Sequence, residues 1–200
     1  MKIKINNKEY ETLESEKLIE VAQRNGIEIP TLCYAKGLKH QASCMVCVVK
    51  DCNTGQFIPS CDTLITNGMN IDTESDEVRE LQKQSLELLL SDHIAVCRPP
   101  CKPENCKLRK YALAYHAKWN TFQRYSAIKK TQSQHIKDNL WFDVNKCIRC
   151  GLCVYNSHDG FTFKERGFNM QVILPVESIN NVNELLCEIC PTQALFFIIL

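Results

Sequence analysis

Thirteen cysteines occupy this chain of 200 residues, at positions 33, 44, 47, 52 and 61, then 97, 101 and 106, then 147, 150, 153, 187 and 190. Thiolates are soft ligands suited to zinc and to iron–sulfur clusters. The N-terminus is charged from its second residue and no apolar run follows, so a secretory signal is not expected. The longest apolar run, residues 194–200, is far shorter than the roughly 20 residues that span a bilayer. The expectation is a soluble, intracellular chain without a membrane span, in the reducing cytoplasmic compartment. Disulfides are rare there, and an odd cysteine count fits a disulfide framework poorly. So many thiols then point to metal.

The first group reads C-x10-C-x2-C-x13-C, through Cys33, Cys44, Cys47 and Cys61. The plant-type [2Fe–2S] order is a lone cysteine, a close C-x2-C pair and a distant fourth. This group keeps that order with a longer first gap. Zinc also takes four thiolates, but its ribbons usually show two close pairs, and this group has one. Cys52 breaks the pattern and is expected to be a free thiol, buried or on an edge strand.

The second group reads H-x3-C-x3-C-x4-C, through His93, Cys97, Cys101 and Cys106. One imidazole and three thiolates make a complete four-ligand set. Pro99, Pro100 and Pro103 keep the loop from being helical. Spacing alone leaves a [4Fe–4S] cluster and a zinc site of one histidine and three cysteines both open. The third group opens as C-x2-C-x2-C, through Cys147, Cys150 and Cys153, as bacterial [4Fe–4S] runs do. The usual fourth position holds Ser157, so a distant cysteine must close the set, and Cys190-Pro191 supplies the missing C-P step. Cys187 is left spare.

Composition narrows the chemistry further. The hydrophobic share of 44% and charged share of 24% are those of a globular chain, and the net charge of +1 gives no general reason to expect nucleic acid. No two glycines are spaced G-x-G and no G-x-x-x-x-G-K-[ST] loop occurs, so no flavin or nucleotide site is expected here.

The elements that must position these ligands follow from periodicity. Residues 2–5 alternate polar and apolar, Asn6-Asn7 signals a turn, and residues 9–13 return, which predicts a hairpin. Ser15 before Leu18, Val21 and Ala22 predicts a capped helix that stops at Asn25-Gly26. Residues 48–50 and 57–59 bracket Asn53-Thr54-Gly55 as a second hairpin. An acidic, leucine-rich stretch over 71–92 predicts an amphipathic helix. Residues 102–130 carry eight basic residues against Glu104, with Leu108, Tyr111, Ala112, Tyr115 and Trp119 at helical spacing. The cysteine groups thus divide the chain into three small modules, each stapled by a metal centre.

The order of these groups resembles the N-terminal iron–sulfur segment of the large peripheral subunit of respiratory complex I. It resembles equally the diaphorase iron–sulfur subunit of NAD(P)-linked hydrogenases and the N-terminal region of iron-only hydrogenases. Four strings carry the likeness in order: Gly26 to Tyr34, Leu88 to His93, Asp143 to Gly151, and Ile189 to Leu195. The resemblance implies an α+β architecture. A β-grasp [2Fe–2S] ferredoxin domain would span 1–77. A small helical [4Fe–4S] domain with one histidine and three cysteine ligands would span 78–138, and a bacterial-ferredoxin-like [4Fe–4S] domain 139–200. It implies one [2Fe–2S] cluster on Cys33, Cys44, Cys47 and Cys61. It implies one [4Fe–4S] cluster on His93, Cys97, Cys101 and Cys106, and another on Cys147, Cys150, Cys153 and Cys190. In the family the second group reads H-x3-C-x2-C-x5-C, so Cys101 departs by one position. The family's enzymes continue into large catalytic or molybdopterin-like domains, which this sequence does not contain. The expectation is therefore a non-catalytic electron wire in a hetero-oligomer. Its partners would be a flavoprotein NAD(P)H dehydrogenase subunit and a hydrogenase or other dehydrogenase subunit. A zinc-bound assembly scaffold, and a redox-sensing module using Cys52 or Cys187, remain the alternatives.

Overall fold

The computed structural model describes residues 1–93, 105–119, 121–122 and 133–198. Cys97 and Cys101 lie outside the described residues. The chain is mixed α/β and divides by its contacts into two units. The first comprises residues 1–31 and 42–86, the second 32–41 and 87–200.

The first unit is built on a mixed five-stranded sheet. Strands β1 (Lys2–Ile5) and β2 (Lys8–Glu11) form the expected hairpin. Asn6 and Asn7 take φ of 51° and 65°, as a two-residue hairpin turn of the primed type demands. Alternation along β1 buries Ile3 and Ile5 and leaves Lys2 and Lys4 in water. Strands β3 (Val48–Asp51) and β4 (Gln56–Pro59) form the second hairpin. Strand β5 (Asn70–Asp72) runs parallel to β1 and antiparallel to β3, joining the two hairpins in the order β2-β1-β5-β3-β4.

Helix α1 (Leu18–Arg24) buries Leu18, Ile19, Val21 and Ala22. Its N-cap is Lys17 and not Ser15, which sits in a left-handed turn at φ 66°. The cap position carries no side-chain hydrogen bond. The predicted stop is correct. Gly26 N–H bonds to the Gln23 carbonyl and Ile27 N–H to the Ala22 carbonyl, with Gly26 at φ +74°, which is a Schellman ending. Helix α2 (Asp76–Asp92) begins in the first unit and ends in the second. Its Gln82 side chain donates to the Val48 carbonyl at 2.8 Å, in a buried bond.

In the second unit, helix α3 (Lys107–Ala114) is shorter than the periodicity over 102–130 suggests. It ends in another Schellman arrangement, His116 N–H to the Leu113 carbonyl and Ala117 N–H to the Ala112 carbonyl. Here His116, not glycine, takes the positive φ of 51°, so no local stop signal marks the turn. Trp119 falls beyond the helix and is exposed. A three-stranded antiparallel sheet is built from β6 (Gln134–Lys137), β7 (Leu140–Phe142) and β10 (Leu195–Phe197), with β7 in the centre. Between β7 and β10 lie helix α4 (Leu152–Asn156), a two-stranded sheet of β8 (Thr162–Lys164) and β9 (Gln171–Ile173), and helix α5 (Glu184–Ile189). Phe142, Phe161, Val172, Leu186 and Leu195 are among the buried residues of its core. No helix among the described residues is long and apolar enough to cross a membrane.

Candidate metal centres

In the first unit, Cys44, Cys47 and Cys61 are all buried. The β3–β4 hairpin explains the thirteen-residue gap between the last two. Its register pairs Val48 with Pro59, so Cys47 and Ser60 stand at the open end of the ladder with Cys61 one residue on. Ser60 secures this end, its N–H donating to the Cys47 carbonyl at 3.2 Å and its hydroxyl to the same oxygen at 2.8 Å. Met45, between Cys44 and Cys47, takes φ 53° and is exposed, so the close pair sits on a tight reversal. Cys52 stands in the turn beyond β3 and is exposed, neither buried nor on an edge strand as expected.

In the second unit, Cys33 is fully buried at the start of the 32–41 segment. His93 and Cys106 are also buried there. His93 N–H bonds to the Leu90 carbonyl at the end of α2. Cys106 caps α3, and Lys107 N–H donates to the Pro191 carbonyl at 2.8 Å, which ties this segment to the chain just past Cys190.

The remaining thiols form the best-defined site. Cys147, Cys150, Cys153 and Cys190 line one cavity, whose other walls include Phe142, Leu152, Val172 and Leu195. The sheet brings the two sequence-distant pieces together. Phe142 pairs with Leu195, and Asp143 N–H then bonds to the Ala194 carbonyl at 2.8 Å. The Cys147 thiol is pushed up to about 12, by burial first, against a backbone bond from Arg149 that lowers it and with a smaller push from the neighbouring Cys190. Cys150 is raised by burial, then by Cys190, Cys147 and Cys33. Cys153 is raised by burial, then by Cys147, Cys190 and Cys150. Three thiols raised by burial in an apolar pocket, Cys147, Cys150 and Cys153, are a poor place for bare anions. They suit a positively charged metal core, which stabilises the thiolates that burial penalises. The four thiols line one cavity, but among the described residues no three His, Cys, Asp or Glu side chains converge closely enough to hold a single metal ion.

Two backbone features shape this loop. Arg149 takes φ 55° and turns its N–H to the Cys147 sulfur at 3.4 Å, a hydrogen bond of the kind that tunes cluster potential. Gly151 takes φ +79°, and a Cβ there would stand 2.7 Å from Tyr155 Cε2 and 3.3 Å from Phe163 Cζ. Gly151→Ala therefore meets both left-handed strain and overpacking, each about 1–2 kcal/mol. The expected result is a stability loss of about 2–4 kcal/mol, read as a shift in urea midpoint with unchanged m.

Residues 1–76 match the model of the 2Fe-2S iron–sulfur cluster binding domain. The wider chain has relatives in the groups that its sequence resembles. It is 30% identical over 155 residues to a G-type subunit of the NADH-quinone oxidoreductase of Rhizobium meliloti, covering 77% of this chain and 18% of the relative. It is 32% identical over 154 residues to iron hydrogenase 1 of Clostridium pasteurianum, covering 75% of this chain and 26% of the relative. It is 27% identical over 187 residues to the gamma subunit of the NAD-reducing hydrogenase HoxS of Cupriavidus necator, covering 90% and 78%. The chain thus spans about a quarter or less of the first two relatives and most of the third. In fold it matches a chain in the crystal structure of an NAD+-reducing [NiFe]-hydrogenase in the H2-reduced state. The TM-score is 0.85 at 22% identity, over 98% of this chain and 86% of that one.

Of the twelve candidate ligands, the structure gathers Cys147, Cys150, Cys153 and Cys190 around one cavity. Cys44, Cys47 and Cys61 are buried in the unit that holds most of the 2Fe-2S domain match, while Cys33 groups by its contacts with the second unit. Cys187 stands apart from the cavity wall, half-buried beside Glu184 and Glu188. Its thiol is pushed up to about 12 by burial first, then by Cys190 and the two acids. Sequence reasoning missed Lys146, which is buried with its ammonium 4.7 Å from the Phe196 ring centroid. A basic residue directly before the first ligand was the available signal.

Proposed function

We propose that the chain is an iron–sulfur electron-transfer subunit of a multisubunit cytoplasmic oxidoreductase. It relays single electrons between a flavoprotein NAD(P)H dehydrogenase subunit and a hydrogenase or other redox subunit. In this reading Cys33, Cys44, Cys47 and Cys61 hold a [2Fe–2S] cluster. His93, Cys97, Cys101 and Cys106 hold one [4Fe–4S] cluster, and Cys147, Cys150, Cys153 and Cys190 hold the other. The observation that carries the reading is the apolar cavity lined by those last four thiols, in a chain whose first 76 residues match the 2Fe-2S cluster-binding domain model. The kinship with the oxidoreductase and hydrogenase subunits supports the partners.

Each cluster, when bound, accepts and releases one electron at a time. The chain's own residues supply position and potential. Cys147, Cys150, Cys153 and Cys190, all half-buried, would hold the metal against an apolar wall that lowers the local dielectric, and the Arg149 N–H donates to the Cys147 sulfur. A neutral imidazole at His93 in place of a thiolate makes its cluster less anionic, which favours the reduced form. The rival redox-sensor reading needs a ready thiolate. Burial pushes the Cys187 thiol up to about 12, which disfavours it for that role, whereas Cys52 is exposed and stays open to it.

The purified chain is expected to pass electrons from dithionite to an artificial acceptor and to leave NADH and NADPH unoxidised. Adding the flavoprotein partner should restore pyridine-nucleotide oxidation. Steady NAD(P)H oxidation by the isolated chain would sink the proposal.

A further inference from the structure

Asn156 ends α4, and its side-chain amide has every polar atom in use. Lys39 N–H donates to Oδ1 at 3.0 Å, while Nδ2 donates at 2.8 Å to the Lys39 carbonyl and at 2.8 Å to the Leu152 carbonyl. The opposite amide orientation would set an oxygen against two carbonyls, so the network fixes this one. Lys39 belongs to the 32–41 segment that begins beside Cys33, and Leu152 lies between Cys150 and Cys153. One residue away, the Tyr155 hydroxyl donates to Gln41 Oε1 on the same segment. The Tyr155 ring stands against Gly151 and 6.1 Å from the Phe163 ring.

The segment held in this way is ordered in itself. The Tyr34 ring meets His40 edge-on at 5.0 Å, and Leu38 N–H bonds back to the Ala35 carbonyl at 3.1 Å. It shares one contact unit with α4, and Cys33 is among the groups acting on the Cys150 thiol. A primary amide that pairs with both the N–H and the C=O of one residue fixes position as well as register, much as one step of a β-ladder does.

We propose that Asn156, seconded by Tyr155, is a positioning residue that clamps the Cys33 loop onto the Cys150–Cys153 ligand loop and so fixes how Cys33, a ligand of one proposed cluster, stands to the ligand loop of the other. This rests on the cluster assignment above. Neither residue lines the cavity of Cys147, Cys150, Cys153 and Cys190, so their loss should loosen the Cys33 loop while leaving iron content and each cluster's potential in place.

The test uses the anaerobically purified full chain with three substitutions, Asn156→Leu, Tyr155→Phe, and Lys36→Ala as a control on the exposed face of the same loop. In Asn156→Leu, iron, sulfide and both midpoint potentials should stay at wild-type values. Hydrogen exchange at the Lys39 amide should speed about tenfold, as loss of roughly one hydrogen bond implies. The relaxation enhancement that one reduced cluster exerts on the other's EPR signal should fall. Tyr155→Phe should move both readouts the same way by less, and Lys36→Ala should move neither. If Asn156→Leu fails to load iron, the same two readouts on Tyr155→Phe decide the matter. Full clusters with unchanged exchange and magnetic interaction would overturn the clamp alone. A wild-type chain without iron would overturn the cluster assignment and the clamp with it.

Discussion

Cys190→Ala is expected to remove one four-iron centre and leave the others, so that iron falls from about ten to about six per chain. Cys190 lines the same cavity as Cys147, Cys150 and Cys153, and it acts on all three of those thiols. The partner substitution Cys187→Ala should leave iron unchanged. Cys187 is absent from that cavity wall and lies beside Cys190, Glu184 and Glu188. The pair of variants separates the two members of the C-x2-C step that sequence alone presents as equals. Equal iron loss in both would mean that Cys187 can ligate, and iron loss confined to Cys187→Ala would reverse the assignment.

Removing the metal should make stability fall steeply at alkaline pH. Burial pushes the metal-free Cys147 thiol up to about 12 from an ordinary 9.0. Between those values the unfolded chain releases a proton that the folded chain retains. The folded state therefore keeps its full stability below about pH 9 and loses it as pH rises toward 12. The loss from this one group is on the order of 4 kcal/mol, at about 1.4 kcal/mol per pH unit. Cys150 and Cys153 are raised by the same burial and act in the same direction. In the metal-loaded chain these groups are already thiolates, so this contribution vanishes. Urea midpoints of chelator-stripped and loaded protein, compared from about pH 7 to about pH 11, check the prediction. Parallel curves would show that these thiols are not the metal's ligands.

Much of the fold was legible because tight turns are local. The Asn6-Asn7 turn and the Gly26 stop each sit within a few residues of what they determine. The thirteen residues between Cys47 and Cys61 proved to be the length of one hairpin. What escaped was set by contacts distant in sequence. Strand β5 has only Ile71 as an apolar residue, and its pairing with β1 and β3 makes it a strand. Ser15 lost the cap position because the chain reverses through it at φ 66° before the helix begins. The end of α3 depends on His116 accepting a left-handed conformation that sequence normally assigns to glycine. Asn156 belongs to no motif, and its role emerges only when Lys39, 117 residues away, is found against it.

The central claim is that these cysteines hold iron–sulfur clusters and not zinc. Elemental and acid-labile sulfide analysis of the anaerobically purified chain, joined to EPR of the dithionite-reduced protein, tests it most directly. The prediction is about ten irons with matching sulfide per chain, a [2Fe–2S] signal that persists at higher temperature, and two faster-relaxing [4Fe–4S] signals. Stoichiometric zinc, no labile sulfide and a silent spectrum would contradict it.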